Sequence, residues 1–321
     1  MAFDLLATLK LKDDFSGPMG KAERKVGSFG KAASKLTGIV AGIGVGAALG
    51  GFAKDVVQTG IAFTESMSQV AAVSGATGAE LDALRDKALE MGKSTVFSAS
   101  EASDALVYLS MAGFNAEQAM ASLPDTLALA AAGGLDLADA ADIASNVMSG
   151  FNMMAGDVEA NMKRVADVMA SAASSSNTDV KQLGDAMSYA APVANAYGIS
   201  LEESAAAVGI FSNAGIQGSR AGMTLKNMIS QLASPVGATA KKLDELGLSA
   251  KDVNPEVYSL AEIIETLEGA GAKATDAIAL VGAEAGPGFA AMVSVGSDEL
   301  KRYAEDLEGA EGAAQRMADA M

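Results

Sequence analysis

From Gly60 onward the apolar positions recur at helical rather than strand spacing. Val158, Met162, Val165 and Met169 step by 4, 3 and 4, and Val180, Leu183, Met187 and Ala190 step by 3, 4 and 3. Both stripes line one face of a helix, and neither lasts the run of heptads that a coiled coil requires. Methionine on such a stripe reads as adaptable core filler rather than a ligand surface. The stops and starts are equally legible. Gly113-Phe114-Asn115, Gly134-Leu135-Asp136, Gly198-Ile199-Ser200 and Gly247-Leu248-Ser249 share one grammar. Each has a glycine suited to the left-handed position after a helix, then an apolar residue, then a residue able to cap the next helix. Gln118 follows Asn115 and Glu203 follows Ser200 in capping-box register, and Ser98 with Glu101 and Ser259 with Glu262 repeat the box. Joints this short make tight helix–turn–helix connections. Only the punctuation recurs, and the intervening sequences do not align well enough to support a solenoid repeat.

Pro124 and Pro192 are expected to start or kink helices. The polar run Ser174 to Thr178 is expected to break the chain between helices, with Asn177 or Thr178 as the cap. The glycine-rich GAEAGPG at 282–288 lacks the Lys and Ser/Thr of a phosphate loop and reads as a helix-terminating turn. FDLLATLKL, Phe3 to Leu11, alternates imperfectly and is the only strand candidate. The predicted fold is all-α: a compact bundle of many short helices, preceded by an N-terminal helical, Gly/Ala-rich apolar segment.

That preceding segment, Leu36 to Ala53, reads LTGIVAGIGVGAALGGFA and carries no charge in 18 residues. Gly38, Gly42, Gly46 and Gly50 fall on one slowly rotating stripe, and small residues at that spacing let helices approach closely. As a helix the run would extend about 27 Å, near the thickness of a bilayer core. Each glycine, however, costs roughly 1 kcal/mol of helix stability relative to alanine. The segment therefore needs a packed neighbour, other copies of itself or a membrane, and disorder is the alternative. Its distance from Met1 and the mixed charge ahead of it do not fit a secretory signal.

Composition narrows the chemistry. The 321 residues contain no Cys, His or Trp. That excludes disulfides, Cys/His zinc sites, thiol nucleophiles and histidine bases. The formal charge is −17, a poor match for nucleic-acid phosphates. It is unevenly spread: residues 1–35 are net +3 and the remaining 286 carry −20. The basic head is either a phosphate or anionic-lipid contact or a solvated amphipathic helix. Asp136, Asp139 and Asp142 lie on one helix edge that could face a hard cation, although the plainer reading is a solvated face. No constellation looks catalytic, and no cofactor is expected.

Several stretches carry a resemblance. They are Gly75-Ala76-Thr77, KSTVFSASEASDALVYLSMAGF at 93–114 and LPDTLALAAAGGLDLADAADIASN at 123–146. ADVMASAASSSNTDVKQLGDAMSYAAPVANAYGISLEES at 166–204 and NAGIQGSRAGMTLKNMISQLASP at 213–235 complete them. Together, from about Phe63 to about Gly296, they resemble the conserved core region of phage and prophage tail tape measure proteins. The blocks 176–180 and 213–222 are the most specific. The resemblance divides the chain into a basic segment at 1–35, the apolar segment at 36–62, a helical core at 63–296 and the start of a continuing helix at 297–321. Because family members are usually much longer, the sequence is expected to be an N-terminal portion, with length measurement residing mainly beyond Met321.

What the resemblance implies is a structural, non-enzymatic role in the tail lumen, where such proteins template tube polymerisation, set tail length and are ejected ahead of the DNA. The implied partners are other copies of the chain, the tail tube protein, tail assembly chaperones and distal tail or baseplate proteins, with the host membrane met on ejection and no sequence-specific nucleic-acid binding. The implied locations are the virion tail lumen, the host cytoplasm during assembly and the host envelope on infection. Asn177, Thr178, Gln217, Ser219 and Arg220 are the candidate partner contacts. Gly38, Gly42, Gly46 and Gly50 are the candidate self-association or membrane stripe. A membrane-active pore or toxin subunit and a cellular helical adaptor or scaffold remain alternatives.

Overall fold

The computed structural model describes residues 46–320, with side chains from Gly60 onward. Helices make up 76% of these residues, with no strand among them. The chain divides into two units, Met1–Thr64 and Glu65–Met321. The described part of the first is the opening of α1 (Gly46–Ser74). The second begins with the rest of α1, whose Met67 and Val70 are buried. Then follow α2 (Ala79–Ser94), α3 (Ala99–Met111), α4 (Ala116–Gly133), α5 (Leu137–Gly150), α6 (Val158–Ser175) and α7 (Val180–Ala196). After these come α8 (Leu201–Asn213), α9 (Ser219–Ala233), α10 (Ala238–Glu245), α11 (Leu260–Gly269), α12 (Ala277–Val295), α13 (Ser297–Glu308) and α14 (Ala313–Asp319).

The joints follow the predicted grammar where the chemistry is local. At the end of α7, Gly198 takes φ 76°. Its amide donates to the Asn195 carbonyl at 3.1 Å and the Ile199 amide to that of Ala194 at 2.9 Å, which satisfies the last carbonyls of the helix. Ser98, Asn115 and Ser259 each form a complete reciprocal capping box. Ser200 forms only half of one: it accepts the Glu203 amide at 3.1 Å, while the Glu203 carboxylate is used elsewhere. Ser249 caps no helix. Its amide and hydroxyl both donate to Asp252 at 2.7 Å within a turn.

Other expectations are corrected by the fold. Pro124 and Pro192 lie inside α4 and α7 rather than at their starts. In 282–288 only Gly282 breaks the helix, at φ 83°, and the rest continues α12 through Pro287. Gly288 is needed there for close approach, since a Cβ on it would stand 2.4 Å from Thr224 Cγ2. Residues 297–320 form two helices, α13 and α14, where one continuing helix was expected. Gly38, Gly42 and the Phe3–Leu11 strand candidate lie outside the described residues. Gly46 and Gly50 fall in α1.

The bundle is organised around α8. Every residue from Leu201 to Ser212 is buried, and α6, α7, α9, α12 and α13 all pack against it. Apart from its first turn and Ser212 the helix is apolar on all faces, as a core helix is, and the run Ala205-Ala206-Ala207 with Gly209 keeps it thin enough to be surrounded. Ser204 and Ser212 remain satisfied by donating to the carbonyls four residues back. The predicted stripes on α6 and α7 are buried: Met162, Met169, Leu183, Met187 and Ala190 are fully inaccessible.

Three late helices have first-turn or cap amides held by carboxylates of other helices, in α11 in addition to its own Ser259 box. Glu203 of α8 accepts the Ala261 amide of α11 at 3.1 Å. Glu268 of α11 accepts the Ser297 amide and hydroxyl at the start of α13, at 3.3 and 2.8 Å. Asp167 of α6 accepts the Gly312 and Ala314 amides of α14 at 2.8 and 3.0 Å. A carboxylate at a helix N-terminus satisfies orphan N–H groups and meets the positive end of the helix dipole.

Candidate partner-contact surface

The two sequence blocks most specific to the resemblance meet in space. The 176–179 joint leads from α6 into α7, and the 214–218 joint leads from α8 into α9. The Asn177 amide donates to Asn213 Oδ1 at 2.8 Å, and Gln217 Nε2 donates to the Asn177 carbonyl. Side-chain amides thus fasten one backbone turn to the other, which suits a polar run with no ladder partner of its own.

The cap of α7 is neither Asn177 nor Thr178. Asp179 fills the position, accepting the Gln182 amide at 2.7 Å and Gln182 Nε2 at 3.1 Å. The reason is register: with Asp179 at the cap, Val180 enters the helix and reaches the core, where it is 2% exposed. Thr178 is half-buried and its amide donates to the Ser176 carbonyl at 2.9 Å. In the second joint Gly215, at φ 83°, lets the Ile216 amide return to the Phe211 carbonyl at 2.9 Å while Ile216 packs inward. Gly222 abuts the Ala186 backbone. Packing therefore accounts for Ile216, Gln217 and Gly222. Ser219 and Arg220 are exposed in the first turn of α9, and Arg220 forms no ion pair with another described residue. Of the five candidate contacts, Asn177, Ser219 and Arg220 present themselves to solvent, while Thr178 and Gln217 are half-buried.

Behind these joints, Tyr303 of α13 lies over Gly209, where a Cβ would stand 2.8 Å from its ring. The Tyr303 hydroxyl donates to the Ala172 carbonyl at 3.3 Å and lies 2.9 Å from Ser175 Oγ. The α6–α7 joint is thereby tied to α13 as well as to α8.

A charged network, which the sequence did not signal, lies along α6. Arg164 holds Glu202 through two bonds of 2.6 Å, and the Glu202 side chain is only 3% exposed. Lys163 pairs with Asp167 at 3.0 Å and with Glu311 at 3.3 Å. Burial, and next the Asp167 carboxylate, push the Asp125 carboxyl up to about 6. Burial also raises Glu203, against the opposing bonds from the α11 amides. A bidentate Arg–carboxylate pair fixes the relative rotation of two helices, because both bonds must be made together. On the proposed cation edge, Asp139 instead pairs with Lys181 at 2.5 Å. No group of three or more acidic residues among the described ones is arranged to hold a metal.

Two open grooves mark the surface. One, of about 610 Å³, is lined by Asn146, Ser149, Asn152, Ser188, Pro192 and Asn195 between α5 and α7. The other, of about 370 Å³, lies over the Lys163, Arg164, Asp167 and Glu202 network. Both are open and of mixed polarity, with no convergence of acid, base and nucleophile. Among the described residues one stretch, Ala274–Val295, matches a membrane span in length and apolar composition, although Gly282 breaks its helix. Its buried face packs on α9, with Phe289 and Met292 fully enclosed.

The profile described as phage-related minor tail protein matches residues 85–285. The chain is 37% identical over 297 residues to the tape measure protein of Pneumococcus phage Dp-1, covering 90% of this chain and 25% of that protein. It is 30% identical over 230 residues to the probable tape measure protein of Escherichia phage P2, covering 71% of this chain and 28% of that one. A third relative, the probable tape measure protein of Clostridium phage phiCD119, is 27% identical over 184 residues. The chain spans about a quarter of the length of the first two relatives. No solved structure matches it.

Proposed function

This chain belongs to the family of phage-related minor tail proteins, and on that premise we propose that it is the bundled region of a tape measure protein that templates the tail tube and sets tail length. One observation carries the division of labour within such a protein. From Glu65 onward the chain folds back on itself in helices of 7 to 19 residues. A ruler converts residues into distance at about 1.5 Å each only while it stays extended. The bundle forfeits that conversion, so it serves initiation and docking, and measurement belongs to other sequence of the protein.

The docking surface is the fastened pair of joints, with Asn177, Ser219 and Arg220 outward. Its occupants are tail proteins: other copies of the chain, the tube protein, assembly chaperones or distal tail components. The location follows as the tail lumen, reached from the host cytoplasm during assembly. Ejection ahead of the genome, with the 36–53 segment meeting the host envelope, is the remaining part of the reading, and a non-enzymatic role accompanies it.

In-frame removal of one joint-bounded helix pair from 65–321, with tails imaged by electron microscopy, tests this. Loss of tails without proportional shortening is the expected result. Tails shortened by the deleted residues times about 1.5 Å would overturn it.

A further inference from the structure

The last helix is held differently from the rest. The seven residues of α14 are too few to be helical alone, and the helix has no side-chain cap of its own. Its fully covered apolar groups are small, Ala313 and Ala314, with Ala310 in the preceding turn. Its one large apolar side chain, Met317, is only half-buried, whereas Phe211, Phe289 and Leu225 of α8, α12 and α9 are fully buried. What holds α14 is a polar clasp. Asp167, 5% exposed on α6, accepts the Gly312 and Ala314 amides, while Lys163 bridges Asp167 to Glu311 in the turn before the helix.

Every member of that clasp regains water when it opens. Closing gains charge-assisted bonds but removes a carboxylate from solvent, and the two terms nearly cancel. Opening exposes one large apolar side chain, the half-buried Met317, and the main contacts it breaks are those with α4 and α6.

We propose that residues 309–320 are a strap that opens and closes on α4 and α6 as a unit, latched by Asp167 on the Gly312 and Ala314 amides, while the remaining bundle stays folded. Regions held by few apolar contacts open at lower free energy than the core. Opening removes Ala310 and Glu311 from one wall of the groove over Lys163, Arg164 and Asp167 and so widens it.

Native-state hydrogen exchange read by mass spectrometry on the whole chain tests this, in wild type and Asp167→Asn. In wild type the amides of 314–320 should exchange at least tenfold faster than those of Ala205–Ile210 in α8. Asp167→Asn should speed the strap a further tenfold and leave α8 unchanged. Lys163→Gln, which keeps the carboxylate but removes its bridge to Glu311, should speed it severalfold and serves if the first variant does not fold. A strap exchanging equally in wild type and variants is merely frayed, and the proposal falls. It falls also if α8 accelerates by the same factor as the strap.

Discussion

A Cβ on Gly222 of α9 would stand 2.1 Å from the carbonyl oxygen of Ala186 in α7. The two helices meet backbone to backbone, and the obstructing atom belongs to a helix rather than to a flexible side chain. Gly222→Ala is therefore expected to destabilise the bundle by about 3 kcal/mol, the upper range for overpacking. Gly269→Ala, with open space around it, should stay within about 0.5 kcal/mol of wild type. Urea denaturation of both variants decides the point, and equal midpoints would mean that α7 and α9 are not in backbone contact.

The joints make separable predictions about stability and assembly. Gln217→Ala removes the bond to the Asn177 carbonyl and should cost about 1 kcal/mol, leaving the circular dichroism spectrum unchanged. Arg220 is exposed, so Arg220→Ala should be neutral within about 0.5 kcal/mol. Both are expected to lower the yield of complete tails. Normal yield from the Arg220 variant would remove this face from assembly.

Asp125 gives a pH dependence of definite sign. Its folded carboxyl titrates at about 6, against 3.8 for the free side chain. The folded state thus binds the proton more tightly, and the associated stability is complete below pH 3.8. It is lost as pH rises through 6. Asp125→Asn, which keeps the neutral form at every pH, should exceed wild type by about 1 to 3 kcal/mol at pH 7. The advantage should vanish near pH 4. Denaturation curves across that range check it, and a difference independent of pH would contradict the burial of this carboxyl beside Asp167.

The glycine stripe at 36–53 makes a prediction from sequence. Replacing Gly42, Gly46 and Gly50 by Leu raises helix propensity but blocks close approach. Association measured by analytical ultracentrifugation should weaken despite the better helix. Undiminished association would show that the stripe is not an interface, and failure of both proteins to bind anionic liposomes would move any envelope contact elsewhere.

Legibility in the sequence tracked the range of the interaction. Caps at Ser98, Asn115 and Ser259 were readable because donor and acceptor lie three residues apart. At 174–179 several consecutive polar residues could all cap, and only the demand that Val180 reach the core selects Asp179. Gly282–Gly288 misled because glycine serves two ends: Gly282 supplies a positive φ, while Gly288 supplies room for Thr224 and Phe211. The pairing of Arg164 with Glu202 and the docking of Glu203 on α11 span 38 and 58 residues. No local pattern announces them. The meeting of the 177 and 217 joints was equally invisible, although both blocks had been singled out.

The central placement of α8 also sets a timetable for synthesis. A ribosome delivers α8 with α6 and α7 already made, yet its partners α12 and α13 end at Glu308, 95 residues after Asn213. At roughly 5 to 20 residues per second that interval lasts on the order of 5 to 20 s. Throughout it, a mostly apolar helix that the finished bundle buries completely stands with part of its circumference uncovered. The nascent chain thus exposes core surface until α12 and α13 emerge.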